Sequence, residues 1–171
     1  AADPEIIEDN AALAYGANQF KVNFREFREV LEESAWACAN ILVGVAGGAT
    51  DGTSGVREAA DQTMRREIER FADVIFASSV AQREFWLGDR AMSAEEIRQT
   101  YRGLKPCLHG SDAHKIEDVA SPFGDRFSWI KGGLEFDALR QACIDPRGRA
   151  YVGPEAPGSA TPSQVISQIE I

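Results

Sequence analysis

Short apolar runs alternating with amphipathic helical stretches are the feature that most constrains the fold of this chain. Apolar runs of this length are typical of strands that are buried on both faces, whereas apolar residues at three- and four-residue spacing indicate helices. Their alternation predicts an α/β fold with a parallel sheet, or part of a β/α barrel. The predicted strands are 41–46, 73–78, 105–109, 127–131 and 150–152.

The predicted helices fill the intervals between these strands. Asn23 is expected to cap a helix over 24–38, and Ser93 with Glu96 forms a capping box for a helix over 94–101. A short helix is also expected after the loop that follows the third strand. The remaining predicted helices are 5–15, 56–72, 80–88 and 134–144.

Composition excludes several classes of protein. The chain has 171 residues, enough for one domain with a proper core, and no apolar run long enough to span a membrane. Its net charge of −9 argues against a broad nucleic-acid-binding surface, although a local basic groove stays open. Cys38, Cys107 and Cys143 form no C-x-x-C motif, so we expect buried free thiols in a reducing cytoplasm.

The stretch from Leu104 to His114 carries the strongest chemical signal. It contains both histidines of the chain, His109 and His114, and Asp112 lies between them at the end of an apolar strand. Ligands of α/β folds gather at such strand ends. Asp112 and His114 are suited to hold Zn²⁺, Mn²⁺ or Fe²⁺, with His109 as a third ligand or a supporting residue. The alternative is that Asp112 caps the following helix and His114 is merely exposed.

A second candidate is the loop 47–55, which is rich in glycine and hydroxyl side chains and precedes a helix. Gly48, Thr53 and Ser54 are candidates for holding a phosphate or another anion at the helix start. The loop lacks the lysine and spacing of a Walker A motif, so a plain connector is an equal alternative. The Arg65, Arg66 and Arg70 side chains are expected to form a solvated helix face paired with glutamates.

Several motifs in linked order resemble a known family. The stretch 104–114 looks like the last metal-binding motif of the PHP (polymerase and histidinol phosphatase) superfamily. The flanking motifs are similar to TrlF-type proteins, bacterial proteins in which a PHP-like region precedes an AAA/SMC-like ATPase. The flanking motifs are 51–55, 65–76, 83–88, 127–132 and 136–141.

The resemblance implies a fold, an activity and partners. The fold would be a partial, distorted, TIM-barrel-related β/α barrel with mostly parallel strands, and the activity would be metal-dependent phosphoester hydrolysis. Residues 1–153 would be the C-terminal portion of the PHP-like domain, and 154–171 a linker toward an ATPase domain. The partners would be upstream barrel strands and that ATPase. The longer protein would be the part that contacts nucleic acid. The resemblance implies no membrane, and a homo-oligomer is compatible with it.

Residue by residue, Asp112 and His114 match the ligand pair of the family, whereas His109 is not a standard ligand. The chain also departs from the family pattern. It has no H-x-H pair, it has Gly47-Gly48 where many members place a histidine, and it has Phe76 where many place a glutamate. We therefore expect weak metal binding and little hydrolysis by this chain alone.

Two functions follow from the sequence. The first is a PHP-like phosphoesterase region in which Asp112 and His114 hold a divalent ion and His109 positions water or relays a proton. The alternative is a catalytically degenerate PHP-like module that acts as a scaffold or sensor for the attached ATPase.

Overall fold

The computed structural model describes residues 11, 13, 15–16, 22–47, 59–77, 79–111 and 113–158, and of residues 59–61 the backbone alone. The chain divides into two compact units, Ala1–Ile41 and Leu42–Ile171. The helix predicted over 5–15 lies largely outside the described residues.

The first unit contains two consecutive helices, α1 (Phe24–Glu33) and α2 (Ala35–Asn40). The predicted cap is confirmed, because Asn23 Oδ1 accepts the Arg25 backbone N–H at 3.0 Å. The prediction of one helix over 24–38 is wrong, because the chain is extended at Ser34. The Ser34 hydroxyl accepts the Ala37 N–H at 3.1 Å, so this serine starts a new helix instead of continuing the first.

The second unit is mixed α/β. Two short 3₁₀ helices, Ile116–Asp118 and Phe123–Asp125, lie between its third and fourth strands. Its other described elements, in chain order, are β1 (Gly44–Ala46), α3 (Ala59–Phe71), β2 (Val74–Phe76), α4 (Val80–Trp86), α5 (Ala94–Tyr101), β3 (Cys107–Leu108), β4 (Phe127–Ile130), α6 (Phe136–Ile144), α7 (Pro146–Arg149) and β5 (Ala150–Gly153).

The first three strands form a parallel sheet in the order β1-β2-β3. Val45 lies opposite Ile75, and Ile75 lies opposite Cys107 in the next strand. The prediction of an α/β fold with a parallel sheet is therefore confirmed. Each parallel connection contains helices, as a crossover between parallel strands requires.

The last two strands form a separate antiparallel pair, β4 with β5. Trp129 lies directly opposite Tyr151 in this pair. Three of the four β4 residues are exposed, whereas Val74 and Ile75 of the central strand β2 are buried. The sequence predicted strands over 127–131 and 150–152 but not their antiparallel pairing, which suits the half-exposed character of β4.

The core lies between the parallel sheet and the helices α4 and α5, which connect β2 to β3. Trp86 contacts Phe85 and Tyr101 edge to face, with ring centroids 5.2 Å and 4.8 Å away. Such aromatic pairs add about 0.5–1.5 kcal/mol each beyond the burial of their area. The buried residues of this cluster are Ala72, Ile75, Ala77, Trp86, Ile97, Tyr101 and Cys107.

The cysteines differ in their exposure. Cys107 is buried and Cys143 is half-buried, but Cys38 is exposed, so the expectation of three buried thiols is wrong for Cys38. Among the helices of the described residues, none has the length and apolar character needed to cross a membrane.

Candidate functional site at the sheet edge

The carboxyl ends of the three parallel strands form one edge of the sheet. The Gly47 N–H, just after β1, donates to the Phe76 carbonyl at 2.8 Å. The Ala77 N–H, just after β2, donates to the Leu108 carbonyl at 3.0 Å. His109 follows β3 directly, so it lies at the edge where open α/β sheets bind ligands.

The His109 imidazole is oriented by the neighbouring strand. Its Nδ1 lies 3.1 Å from the Ala77 carbonyl oxygen. Because a carbonyl can only accept, Nδ1 carries the proton in this contact. In the neutral ring Nε2 then keeps its lone pair, which is available to a proton or a metal ion. A backbone carbonyl on the other ring nitrogen is the usual support of a metal-bound or proton-accepting histidine.

The backbone of His109 is fixed by Ser128 from β4. The His109 N–H donates to Ser128 Oγ at 2.7 Å, and the same hydroxyl donates to the His109 carbonyl at 2.9 Å. One side chain thus satisfies both backbone groups of His109 and ties the antiparallel pair to the end of β3. Sequence reasoning missed Ser128, because nothing in a separation of 19 positions along the chain links the two residues.

The predicted ligand pair is only partly described. His114 is exposed and lies shortly before the 3₁₀ helix Ile116–Asp118, and Asp112 lies outside the described residues. Within the described ranges there is no group of three or more His, Cys, Asp or Glu side chains that could hold a metal ion. The donor chemistry of His109 Nε2 nevertheless fits zinc, manganese or iron.

Among the described residues, Gly47 directly after β1 and Phe76 at the end of β2 offer no ligand side chain. Gly47 is buried, and a Cβ added there would lie 3.0 Å from Ile75 Cγ2. A side chain at this position would therefore require its neighbour to move. Phe76 ends β2, and its ring covers the backbone of Gly44. The candidate anion-binding residues Gly48, Thr53 and Ser54 lie outside the described residues.

A cavity of about 500 Å³ opens beside Gly47 and is lined in part by arginines. Two of these are paired, Arg65 with Glu69 at 2.8 Å and Arg90 with Glu84 at 2.6 Å. The predicted pairing of the Arg65 face with glutamates is thus confirmed for this pair, although Glu69 is buried rather than solvated.

A buried lysine, which sequence reasoning missed, lies at the opposite edge of the sheet. Lys105 precedes β3, and its ammonium donates to the carbonyls of Ala72 and Arg70 at the end of α3. Burial lowers the pKa of Lys105, and the nearby Asp73 partly opposes this. Since Lys105 lies at the amino ends of the strands and satisfies the last carbonyls of a helix, its role is structural.

In comparisons with known proteins, no family model, curated protein or solved structure matches the chain.

Proposed function

We propose that this chain is part of a PHP-like, metal-dependent phosphoesterase region within a distorted β/α barrel. Asp112 and His114 would hold a divalent cation, and the remaining ligands would come from strands upstream of Ala1. The substrate class would be phosphoesters, with a nucleotide or nucleic acid as the specific candidate. The attached ATPase would be the partner on the other side of residues 154–171.

The observation that carries the proposal is the orientation of His109. Its ring lies at the carboxyl edge of a parallel sheet, and the Nδ1 contact to Ala77 leaves Nε2 as the nitrogen that carries the lone pair of the neutral ring. The double hydrogen bond to Ser128 further restricts its position.

A divalent cation held by Asp112 and His114 would supply an acidified water and would neutralise charge on the phosphoester oxygens. His109 Nε2, which is unprotonated in the neutral ring, would accept a proton from the water as the water oxygen bonds to phosphorus and the P–O bond to the leaving group breaks. The Ala77 carbonyl stabilises the resulting imidazolium through the Nδ1 hydrogen bond. Ser128 holds the His109 backbone, so that the ring keeps its position as its charge changes.

A second candidate is a degenerate PHP-like module that acts as a scaffold or sensor for the ATPase. Gly47 and Phe76 favour it, because they occupy strand ends where many PHP proteins carry a histidine and a glutamate. The close packing of Gly47 against Ile75 leaves little space to regain a ligand there.

The two candidates are separated by Mn²⁺-dependent hydrolysis of bis(p-nitrophenyl) phosphate, measured on a polypeptide extended upstream of Ala1. The phosphoesterase predicts that Asp112→Ala abolishes activity and that His109→Gln lowers kcat about 100-fold, as expected for loss of a general base. Asp118→Ala is the matched control, because Asp118 is an exposed carboxylate in the same segment.

Activity that is lost in Asp112→Ala and retained in Asp118→Ala supports the phosphoesterase. An extended protein without Mn²⁺-dependent hydrolysis contradicts it and favours the scaffold or sensor.

A further inference from the structure

A second cavity, of about 490 Å³, lies on the β4–β5 pair and differs in charge from the rest of this acidic chain. Its described lining contains no aspartate or glutamate. It contains four cationic side chains and two aromatic rings, namely Arg83, Lys131, Arg147, Arg149, Trp129 and Tyr151. The chain as a whole carries a net charge of −9, so this concentration of positive charge is local.

Separate elements bring these side chains together. Trp129 and Tyr151 are directly opposed across β4 and β5, so their side chains project from the same face of the pair. The guanidinium of Arg83, from α4, lies 5.1 Å from the centre of the Tyr151 ring. Lys131 directly follows β4, and its N–H donates to the Arg149 carbonyl at 2.8 Å. The cavity is thus formed by the tertiary fold and by no single motif.

Among the four cations, Arg147 alone forms an ion pair with a described carboxylate, that of Asp89, and the charge of Asp89 also acts on Arg83. Arg147 forms an ion pair with Asp89 at 2.8 Å and also donates to the Leu87 carbonyl. The Arg149 guanidinium donates to the Lys131 carbonyl at 3.2 Å, which orients it without cancelling its charge. The cavity beside Gly47 differs in this respect, because Arg65 and Arg90 both contact glutamates there.

Trp129 presents an oriented aromatic surface. Its indole Nε1–H donates to the Gly153 carbonyl at 2.9 Å, so the ring direction is fixed. The side chain remains 36% exposed and can therefore accept a planar ring against it. One face of the Tyr151 ring is already covered by the Arg83 guanidinium, so Trp129 is the better surface for stacking.

We propose that this cavity binds a nucleotide, with its phosphates held by Lys131, Arg149 and Arg83 and its base stacked on Trp129. Guanidinium and ammonium groups are the preferred partners of phosphate oxygens, and base stacking on an aromatic side chain is favourable for any base. The volume lies in the range of pockets for small ligands, which favours a free nucleotide over an extended strand. The residues involved are distinct from the proposed metal ligands.

The test is the affinity of the full chain for AMP, measured by isothermal titration calorimetry at low salt. Lys131→Gln is expected to weaken AMP binding about tenfold, the loss for one charge-assisted hydrogen bond. Trp129→Leu should weaken AMP binding while leaving the binding of inorganic phosphate unchanged. Lys115→Gln is the matched control, since Lys115 is an exposed lysine outside the described lining of the cavity.

Each other outcome overturns the proposal. It fails if AMP does not bind, or if Lys131→Gln and Lys115→Gln weaken binding equally. Inorganic phosphate that binds as tightly as AMP shows a simple anion site without recognition of the base. A single-stranded oligonucleotide that binds more tightly than AMP, with the same sensitivity to Lys131→Gln, shows that the ligand is a nucleic-acid strand. Far-ultraviolet circular dichroism of each variant confirms that it is folded.

Discussion

Cys107 and Lys105 lie two residues apart at β3, and burial shifts their pKa values in opposite directions. Burial disfavours the charged form of either group, so it raises the pKa of the Cys107 thiol to about 12 and lowers the pKa of Lys105. A thiol with a raised pKa contributes stability that is complete below the pKa of the unfolded chain and is lost as pH rises toward 12. Lys105 has the opposite effect on the pH dependence of stability, because its ammonium loses a proton more easily in the folded protein than in the unfolded chain.

The thiol effect predicts a loss of stability in alkaline solution. Cys107 alone is expected to cost about 2 kcal/mol of unfolding free energy between about pH 8 and about pH 10.5. Urea unfolding of Cys107→Ala should show a correspondingly smaller dependence on pH. Cys38→Ala is the control, because Cys38 is exposed. The same alkaline loss in wild type and Cys107→Ala would contradict this assignment.

Helix starts are the elements that follow most directly from local sequence. The capping box predicted for α5 is present, with the Ser93 hydroxyl accepting the Glu96 N–H and the Glu96 carboxylate accepting the Ser93 N–H at 2.7 Å. The Ser93 backbone N–H, followed by the Ser93 hydroxyl, lowers the pKa of Glu96. The stability that the ionised Glu96 carboxylate contributes is therefore present above the usual pKa of a glutamate and is lost as the solution becomes more acidic.

Removal of the Ser93 hydroxyl should measurably lower the stability of the protein. Ser93→Ala is expected to lower the unfolding free energy by about 1 kcal/mol near neutral pH, since a helix start loses its side-chain acceptor. Ser121→Ala, at an exposed serine outside any helix, should change it by less than about 0.5 kcal/mol. Equal effects of the two substitutions on thermal or urea unfolding would contradict the role of the cap.

Across the whole molecule, local periodicity predicted the existence of the strands but not the pairing of the last two. Strand β2 is apolar and its residues Val74 and Ile75 are buried, so its place in a parallel sheet agrees with the apolar run of residues 74–76. The pairing of β4 with β5 depends on contacts between distant segments, which spacing along the chain does not encode. The same holds for Ser128 at His109 and for the cationic cavity, whose members come from four elements or their flanks.

The position of His109 was predictable because an apolar strand leads directly into it. Its tautomer was not, because the partner Ala77 lies 32 positions away. That Gly47 and Phe76 carry no ligand atoms is evident from the sequence, but their close packing required the fold. Sequence therefore identified candidate residues such as His109, whereas tertiary contacts decide how the described ones are oriented.

We propose that the carboxyl edge of the sheet, next to His109, belongs to a divalent metal site. Calorimetric titration of the chain with Mn²⁺ tests this, comparing wild type with Asp112→Ala, His114→Ala and Asp118→Ala. We expect weak binding of a single ion, reduced about tenfold or more by Asp112→Ala and by His114→Ala and unchanged by Asp118→Ala. Mn²⁺ binding that is equal in wild type, Asp112→Ala and His114→Ala would contradict the claim.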